Sequence, residues 1–306
     1  MLPMEVWQHA VGRCAEPAAE AWSSSGGATT SGPAPTRAVT GAGDRTGRRR
    51  RSDLAQRAHW CRRGALGEGF LFPGGREETL RLATPLGLSA ASSLLLLGAG
   101  SGGPARCIAT ELGGWVSGYE ANAHLAELAN ERTQRAGLGR RAEVQTWDPS
   151  EPVFPQHYYH HAIAIEPLHG ASSEPTLGAV SLALKQGGQF VLIETVADRP
   201  FDPNDTMVAT WTRLDHRSPD VPSELAITKV LGHLGFDVRI VEDVSPRDIQ
   251  YAVRGWGEAV RAMQGARPTL HQTALIVREA ELWMARVRLM RAGKLRLVRW
   301  HAIARG

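Results

Sequence analysis

The feature that most limits what this chain can fold into is the segment LLLLGAGSGGPARCIA at residues 94–109. Four leucines run directly into a cluster of glycines, and an alanine-rich stretch that favours helix follows. This order is typical of a buried strand, a tight turn and the N-terminus of a helix. Glycines suit such a turn because a Cβ atom would keep a bound ligand away from the backbone. The segment therefore predicts a cofactor-binding loop.

Helix and strand patterns alternate on both sides of this loop. The predicted strands cover 93–97, 115–119, 142–146, 160–166, 188–194, 236–244 and 294–303. The predicted helices cover 76–88, 103–112, 122–136, 173–185, 222–234 and 269–291. Short strands separated by helices predict an α/β fold, in which a doubly wound, Rossmann-like parallel sheet is covered by helices on both faces.

The chain before this region has a different composition. Apolar residues at helical spacing predict a possible N-terminal helix within residues 1–22. Residues 23–57 are rich in Gly, Ser, Thr, Pro and Arg and poor in large apolar residues, so we expect a disordered linker. The rest, 58–306, is expected to form a single domain.

The distribution of charge along the chain does not favour a nucleic-acid-binding surface on this domain. The net charge is +4, but nine arginines and only two aspartates lie between Arg37 and Arg63. The remaining chain is therefore mildly acidic, and no aromatic residues interleave the arginine run at 48–51. We expect a small-molecule partner instead, and the sequence leaves the oligomeric state open.

Composition also predicts location and the absence of a metal. The sequence has no apolar stretch of the roughly 18 residues that a membrane span needs. The three cysteines are scattered, which favours a reduced, cytoplasmic compartment. The histidines of HYYHH, at 157–161, lead into a strand whose alternation separates neighbouring side chains. We therefore expect no metal site.

Two classes of cofactor fit the glycine loop. Gly98, Gly100 and Gly103 match the spacing GxGxxG, and Glu120 ends the next strand, where its carboxylate would accept hydrogen bonds from ribose hydroxyls. NAD and S-adenosylmethionine (SAM) both carry an adenosine ribose. The motif alone therefore leaves both cofactors open.

Later features favour SAM. Asp148 follows the third strand, where it would accept from the adenine amino group, and Trp147 would cover the adenine ring. After the fifth strand, the chain continues with another strand, a long helix and a terminal strand, instead of the separate substrate domain of most NAD dehydrogenases.

From about Gly67 onward the chain resembles the seven-stranded SAM-dependent methyltransferases. LGEGFLFPGGREETLRLATPLGL and LGHLGFDVRIVEDVSP are similar to segments of the branch that methylates small amines, which includes the phosphoethanolamine and glycine/sarcosine N-methyltransferases. The resemblance implies that the last strand lies antiparallel beside the fifth. It also implies that an insertion over about 198–221 caps the active site.

Residues are assigned to the site by combining the motif with the resemblance. The cofactor-binding residues are expected to be Gly74, Gly98, Ala99, Gly100, Gly102, Glu120, Trp147, Asp148 and Glu166. The resemblance implies that His169 accepts a proton or orients the nucleophile. Phe72 and Trp211 are expected to contact the substrate, Trp211 as part of an aromatic cage for a cation.

The resulting expectation is a methyltransferase that transfers the methyl group of SAM in line to an amine nitrogen of a small molecule. One alternative is C- or O-methylation of a lipid-like or aromatic natural product. Another is a non-catalytic binding or regulatory protein of this fold, because Leu96 stands where the family usually has an acidic residue. An NAD-dependent oxidoreductase is a fourth possibility.

Overall fold

The computed structural model describes residues 66–264 and 268–305. The predicted N-terminal helix and linker, and the predicted start of the domain at residue 58, lie outside these residues. The described helices are α1 (Gly75–Ala83), α2 (Gly103–Glu111), α3 (Ala123–Arg135), α4 (Ser173–Ala183), α5 (Thr206–Asp215), α6 (Glu224–His233), α7 (Ser245–Ala262) and α8 (Leu270–Arg291), with a 3-10 turn at Thr84–Leu86. The strands are β1 (Ser93–Leu97), β2 (Trp115–Glu120), β3 (Ala142–Thr146), β4 (Tyr159–Ile165), β5 (Leu184–Val196), β6 (Phe236–Asp243) and β7 (Arg296–Ala304).

The seven strands form one sheet in the order β3-β2-β1-β4-β5-β7-β6. Strands β1 to β5 run parallel, whereas β7 lies antiparallel between β5 and β6. The predicted α/β fold, with its antiparallel last strand, is therefore confirmed.

The leucines of β1 show why this sheet is covered on both faces. All four are completely buried. Leu94 and Leu96 belong to a core with side chains of α1, α2, α3, α5 and α8, whereas Leu95 and Leu97 belong to a second core with α4 and α6. A strand that is apolar on both faces is stable only between two layers of helices, which places β1 at the centre of the sheet.

The junction of α4 and β5 differs from the prediction. The sequence predicted a helix to residue 185, a turn at the two glycines, and a strand from residue 188. In the structure α4 ends at Ala183 and β5 begins at once. Tyr159 pairs with Leu184 and His161 with Gln189, so the intervening β5 residues form a bulge, within which Gly187 has a φ of 74°. The glycines permit this irregularity in the strand and do not terminate the helix.

Helix α7 was not predicted. It begins with a proline near its N-terminus and buries Tyr251, Ala252, Trp256 and Ala259 on one face, a spacing that indicates an amphipathic helix. This face packs with Trp283 of α8. The predicted cap insertion at about 198–221 contains α5, which packs against α8.

Substitution of Gly103, the first residue of α2, tests how tightly this helix packs against the backbone of Gly69. A Cβ atom at Gly103 would lie 2.6 Å from the backbone carbon of Gly69, whereas a Cβ at Gly232 in α6 would meet no atom within 4 Å. We expect Gly103→Ala to destabilise the protein by about 1–3 kcal/mol, because backbone must move. The control Gly232→Ala should stabilise it by about 0.5 kcal/mol through helix propensity. Urea denaturation of both variants checks this, and equal stabilities would contradict the described packing.

Candidate functional site

The glycine loop between β1 and α2 holds a conformation that other residues rarely adopt. Gly98, Gly100 and Gly102 have φ values of 75°, 56° and 82°. A Cβ at Gly98 would lie 2.3 Å from the carbonyl oxygen of Ile165, at the end of β4. The amides of Gly98 and Ala99 both donate to the carbonyl oxygen of Tyr119 in β2. The loop is therefore fixed against the ends of β2 and β4.

The segment before α1 packs directly on this loop. The amide of Gly103 donates to the carbonyl oxygen of Gly69 over 3.0 Å, and a Cβ at Gly100 would lie 2.7 Å from Cγ of Leu71. Gly74, at the N-cap of α1, has a φ of 82°, and a Cβ there would lie 2.6 Å from the Tyr251 ring. The predicted residue Gly74 thus connects this segment to α7.

These contacts leave the N-terminus of α2 poorly suited to a pyrophosphate. Dinucleotide-binding folds bind that group through free amides at this helix end. Here the amide of Gly103 is already bonded to Gly69, and the next residue, Pro104, has no N–H. The loop geometry therefore favours a cofactor without phosphate groups.

Glu120 lies at the rim of the loop, as predicted. Its side chain is largely buried at the end of β2. One carboxylate oxygen accepts from the Gly100 amide over 2.8 Å and the other from the Asn122 amide over 3.1 Å. These two bonds orient the carboxylate at the carboxyl end of the sheet, and its contact with a ribose stays a prediction.

Trp147 and Asp148 form a turn after β3. Asp148 is exposed, and its Oδ1 accepts from the amide and the hydroxyl of Ser150, which lowers the pKa of Asp148. Trp147 is half-buried, with its ring centroid 5.9 Å from that of Phe154. Their adenine contacts stay a prediction.

Glu166, which follows β4, is engaged by the protein itself. Its φ is 45°, and its carboxylate accepts from the Thr195 hydroxyl and lies 3.0 Å from Nη2 of Arg286. Burial alone would raise the pKa of Glu166, but the positive charges of Arg286 and Arg217 outweigh burial and lower it. The predicted contact of Glu166 with the cofactor would have to compete with Arg286.

Arg286 and Asp248 were missed by the sequence reasoning. Arg286, on α8, and Asp248, on α7, are both buried, with Nε and Oδ2 separated by 3.9 Å. Burial, opposed by Arg286, raises the pKa of Asp248 to about 6. Together with Phe72 and Glu166, these two residues line a cavity of about 20 Å³, roughly the space of one water molecule. Asp248 could have been found from the sequence only if helix α7 had been predicted.

Glu194, near the end of β5, was also missed. It is 1% exposed, and its oxygens accept from the amides of Leu168 and Thr195, each over 2.9 Å. Burial and the negative charge of Glu166 raise the pKa of Glu194. The sequence feature that could have pointed to Glu194 is its position directly after the apolar run FVLI.

His169 lies in the loop that follows β4. His169 and Glu194 both line a cavity of about 420 Å³, together with Ser150 and Arg217. Nε2 of His169 donates to the carbonyl oxygen of Asp215 over 2.9 Å, and the side chain is 40% exposed. The catalytic role of His169 stays a prediction.

Trp211 and Leu96 lie in the core. Trp211 is completely buried, and the guanidinium carbon of Arg217 lies 5.1 Å from its ring centroid. The ring therefore already holds a cation from the protein, and its role in a substrate cage stays a prediction. Leu96 is also completely buried, in the core that contains Phe72.

The histidines of the HYYHH segment bind protein groups. Nδ1 of His160 lies 2.9 Å from the Ser93 hydroxyl, and its Nε2 lies 3.0 Å from Nζ of Lys185. Within residues 66–264 and 268–305, no three His, Cys, Asp or Glu side chains are arranged to hold a metal. Among the helices of the same residues, none has both the length and the apolar character for crossing a bilayer.

No family model matches the chain. The sterol 24-C-methyltransferase of Eremothecium gossypii is 29% identical over 186 residues, which cover 60% of this chain and 50% of that protein. Other fungal proteins of the same name match with similar identity. The chain thus spans about half the length of the curated relatives it matches.

Solved structures show the same architecture. A phosphoethanolamine N-methyltransferase of Haemonchus contortus with bound SAM has a TM-score of 0.70 at 17% identity, over 83% of this chain and 57% of that one. The geranyl diphosphate C-methyltransferase of Streptomyces coelicolor A3(2) has a TM-score of 0.58 at 16% identity, over 74% of this chain and 78% of that one. The chain has the fold of the class I SAM-dependent methyltransferases. These comparisons support the predicted enzyme class, and SAM in place of NAD, but they do not confirm the small-amine branch.

The ion group around Arg286 predicts a large stability effect. Arg286→Met would leave Glu166 and Asp248 partly desolvated without their cation, so we expect the free energy of unfolding to fall by about 3 kcal/mol at pH 7. The matched control is Arg135→Met, which removes an exposed pair with Glu131 and should cost less than about 0.5 kcal/mol. Chemical denaturation measures both values, and similar losses would show that Arg286 contributes no more than a surface arginine.

Proposed function

We propose that this chain carries the SAM-binding part of a methyltransferase that methylates a carbon atom of a lipid-like acceptor. The observation that carries this proposal is the match to sterol 24-C-methyltransferases, which covers 53–60% of this chain. It favours the C-methylation alternative over the amine acceptor that the sequence first suggested. The amine-methylating neighbours support the fold alone.

We infer that the glycine loop would hold the methionine part of SAM. Gly98, Ala99, Gly100 and Gly102 would lie against its methionine part, since their backbone has no large side chain to obstruct it. Glu120 would accept from the ribose hydroxyls. When bound, SAM would supply an activated methyl group, and the protein would position the acceptor and exclude water.

Two adjoining cavities favour a large acceptor. The cavity of about 420 Å³ at His169 and a second of about 660 Å³ share Asp220 and Val221. Six prolines line the two cavities: Pro149, Pro175, Pro200, Pro203, Pro219 and Pro222. Besides these prolines, the linings contain charged side chains, among them Arg217 and Asp220. The combined extent of the two cavities is suited to an elongated acceptor more than to a small amine.

One observation favours a second candidate, a non-catalytic protein of this fold. Two positions in this fold would contact the methionine part of SAM through a carboxylate. One of them is Leu96 in β1, which has no charge. The other is Glu166, whose carboxylate is already paired with Arg286. Such a protein would bind SAM without transferring its methyl group to any acceptor.

The role of Glu120 is tested by SAM binding. Glu120→Gln removes the charge that would hold the ribose, so we expect the Kd of SAM to rise about 10- to 100-fold. The control Glu127→Gln changes a side chain that is 76% exposed on α3 and should leave the Kd unchanged. Isothermal titration with SAM and S-adenosylhomocysteine measures both, and equal affinities would contradict the assignment of Glu120.

The acceptor is tested by turnover with methyl-labelled SAM. We expect label in a sterol whose side chain has a double bond at C24, and none in phosphoethanolamine, glycine or sarcosine. Label in an amine would refute C-methylation. SAM binding without product from any acceptor would favour the non-catalytic candidate, and absence of SAM binding would refute both.

A further inference from the structure

We propose that Glu194 is the proton acceptor of this reaction, a role that rests on the proposed C-methylation. It would contact the acceptor in the cavity that it lines with His169.

Carbon methylation creates a need for such a group. When the methyl carbon leaves the sulfonium, its bond to sulfur breaks and the electron pair stays on sulfur. The π electrons of the acceptor double bond form the new carbon–carbon bond, which leaves a cation on the neighbouring carbon. Loss of a proton from an adjacent C–H bond supplies the electrons of a new double bond. A base must take that proton.

The backbone fixes Glu194 at the place where an acceptor would lie. It lies near the carboxyl end of β5, and its cavity also reaches Ser150 after β3 and Leu168 after β4. The Leu168 and Thr195 amides hold its two oxygens, each over 2.9 Å. The carboxylate is thus held in place by two backbone amides, one in the loop after β4 and one in β5.

The surrounding charges suit a base. Burial and the negative charge of Glu166, after β4, favour the protonated form of Glu194, whereas Arg217, after α5, opposes them. The same cavity contains His169 and the exposed Asp220, and Arg217 is itself paired with Asp215. The raised pKa makes Glu194 a stronger base than an ordinary surface carboxylate.

His169 is less suited to this step. Its Nε2 donates to the Asp215 carbonyl, which leaves only Nδ1 to accept a proton, and its side chain is 40% exposed to solvent. Glu194 is 1% exposed and is acceptor-only when ionised. The structure therefore favours the carboxylate over the imidazole as the base.

The experiment uses the full chain with SAM and a sterol that has a C24–C25 double bond. Glu194→Gln should lower kcat by about 100-fold or more, with the Kd of SAM unchanged. It should also divert product from alkene to methylated alcohol, because water captures a cation that has no base beside it. In the wild type, kcat should rise with pH as Glu194 ionises, and this rise should vanish in the variant.

Controls separate this role from a structural one. Glu174→Gln changes an exposed carboxylate of α4 and should leave kcat and products unchanged. If Glu194→Gln does not fold, Glu194→Asp should keep the pH-dependent rise at reduced kcat. Unchanged products and kcat in Glu194→Gln, or loss of the pH-dependent rise in His169→Asn alone, would overturn the assignment. A wild type that binds SAM but methylates no sterol would overturn C-methylation and the Glu194 role with it.

Discussion

The buried guanidinium of Arg286 connects parts of the chain that are far apart in sequence. It reaches Glu166 at the end of β4 and Asp248 on α7, and Glu166 in turn accepts from Thr195 on β5. Removing these charges from water is costly, and only their close arrangement offsets that cost. The ion group therefore requires α7 and α8 to keep fixed positions against the carboxyl edge of the sheet. That edge is where every candidate site residue outside the core is found.

A second constraint acts at the glycine loop, where backbone contacts backbone. The Gly69 carbonyl accepts a hydrogen bond from the amide of Gly103, and the side chain of Leu71 packs against Gly100. The segment before α1 is thus part of the loop's wall. The Gly103 amide is therefore not free for a pyrophosphate, although the spacing of the glycines is that of a dinucleotide motif.

The sequence predicted local features well. The bounds of β1 and β3 agree with the structure, because apolar runs bounded by turn residues are local signals. The position of Glu120 beside the loop was predicted because the motif fixes its distance from the glycines, whereas its contact with a ribose stays a prediction. Arg286 and Glu194 were not found, since their importance arises from partners more than 20 residues away in the chain. The bulge at Gly187 was read as a helix end because glycine permits both structures, and the register against β4 decides between them.

The position of β7 has a consequence for how the protein forms during synthesis. Strand β6 lies at the edge of the sheet and borders β7, which follows it only after α7 and α8. While the chain emerges from the ribosome, β1 to β5 can assemble, but β6 must wait for a strand made later. Until then the edge of β5 offers unpaired amides and carbonyls to other chains. Slow translation of the region between β6 and β7 would lengthen this exposure, so the nascent protein would depend on chaperones at that stage.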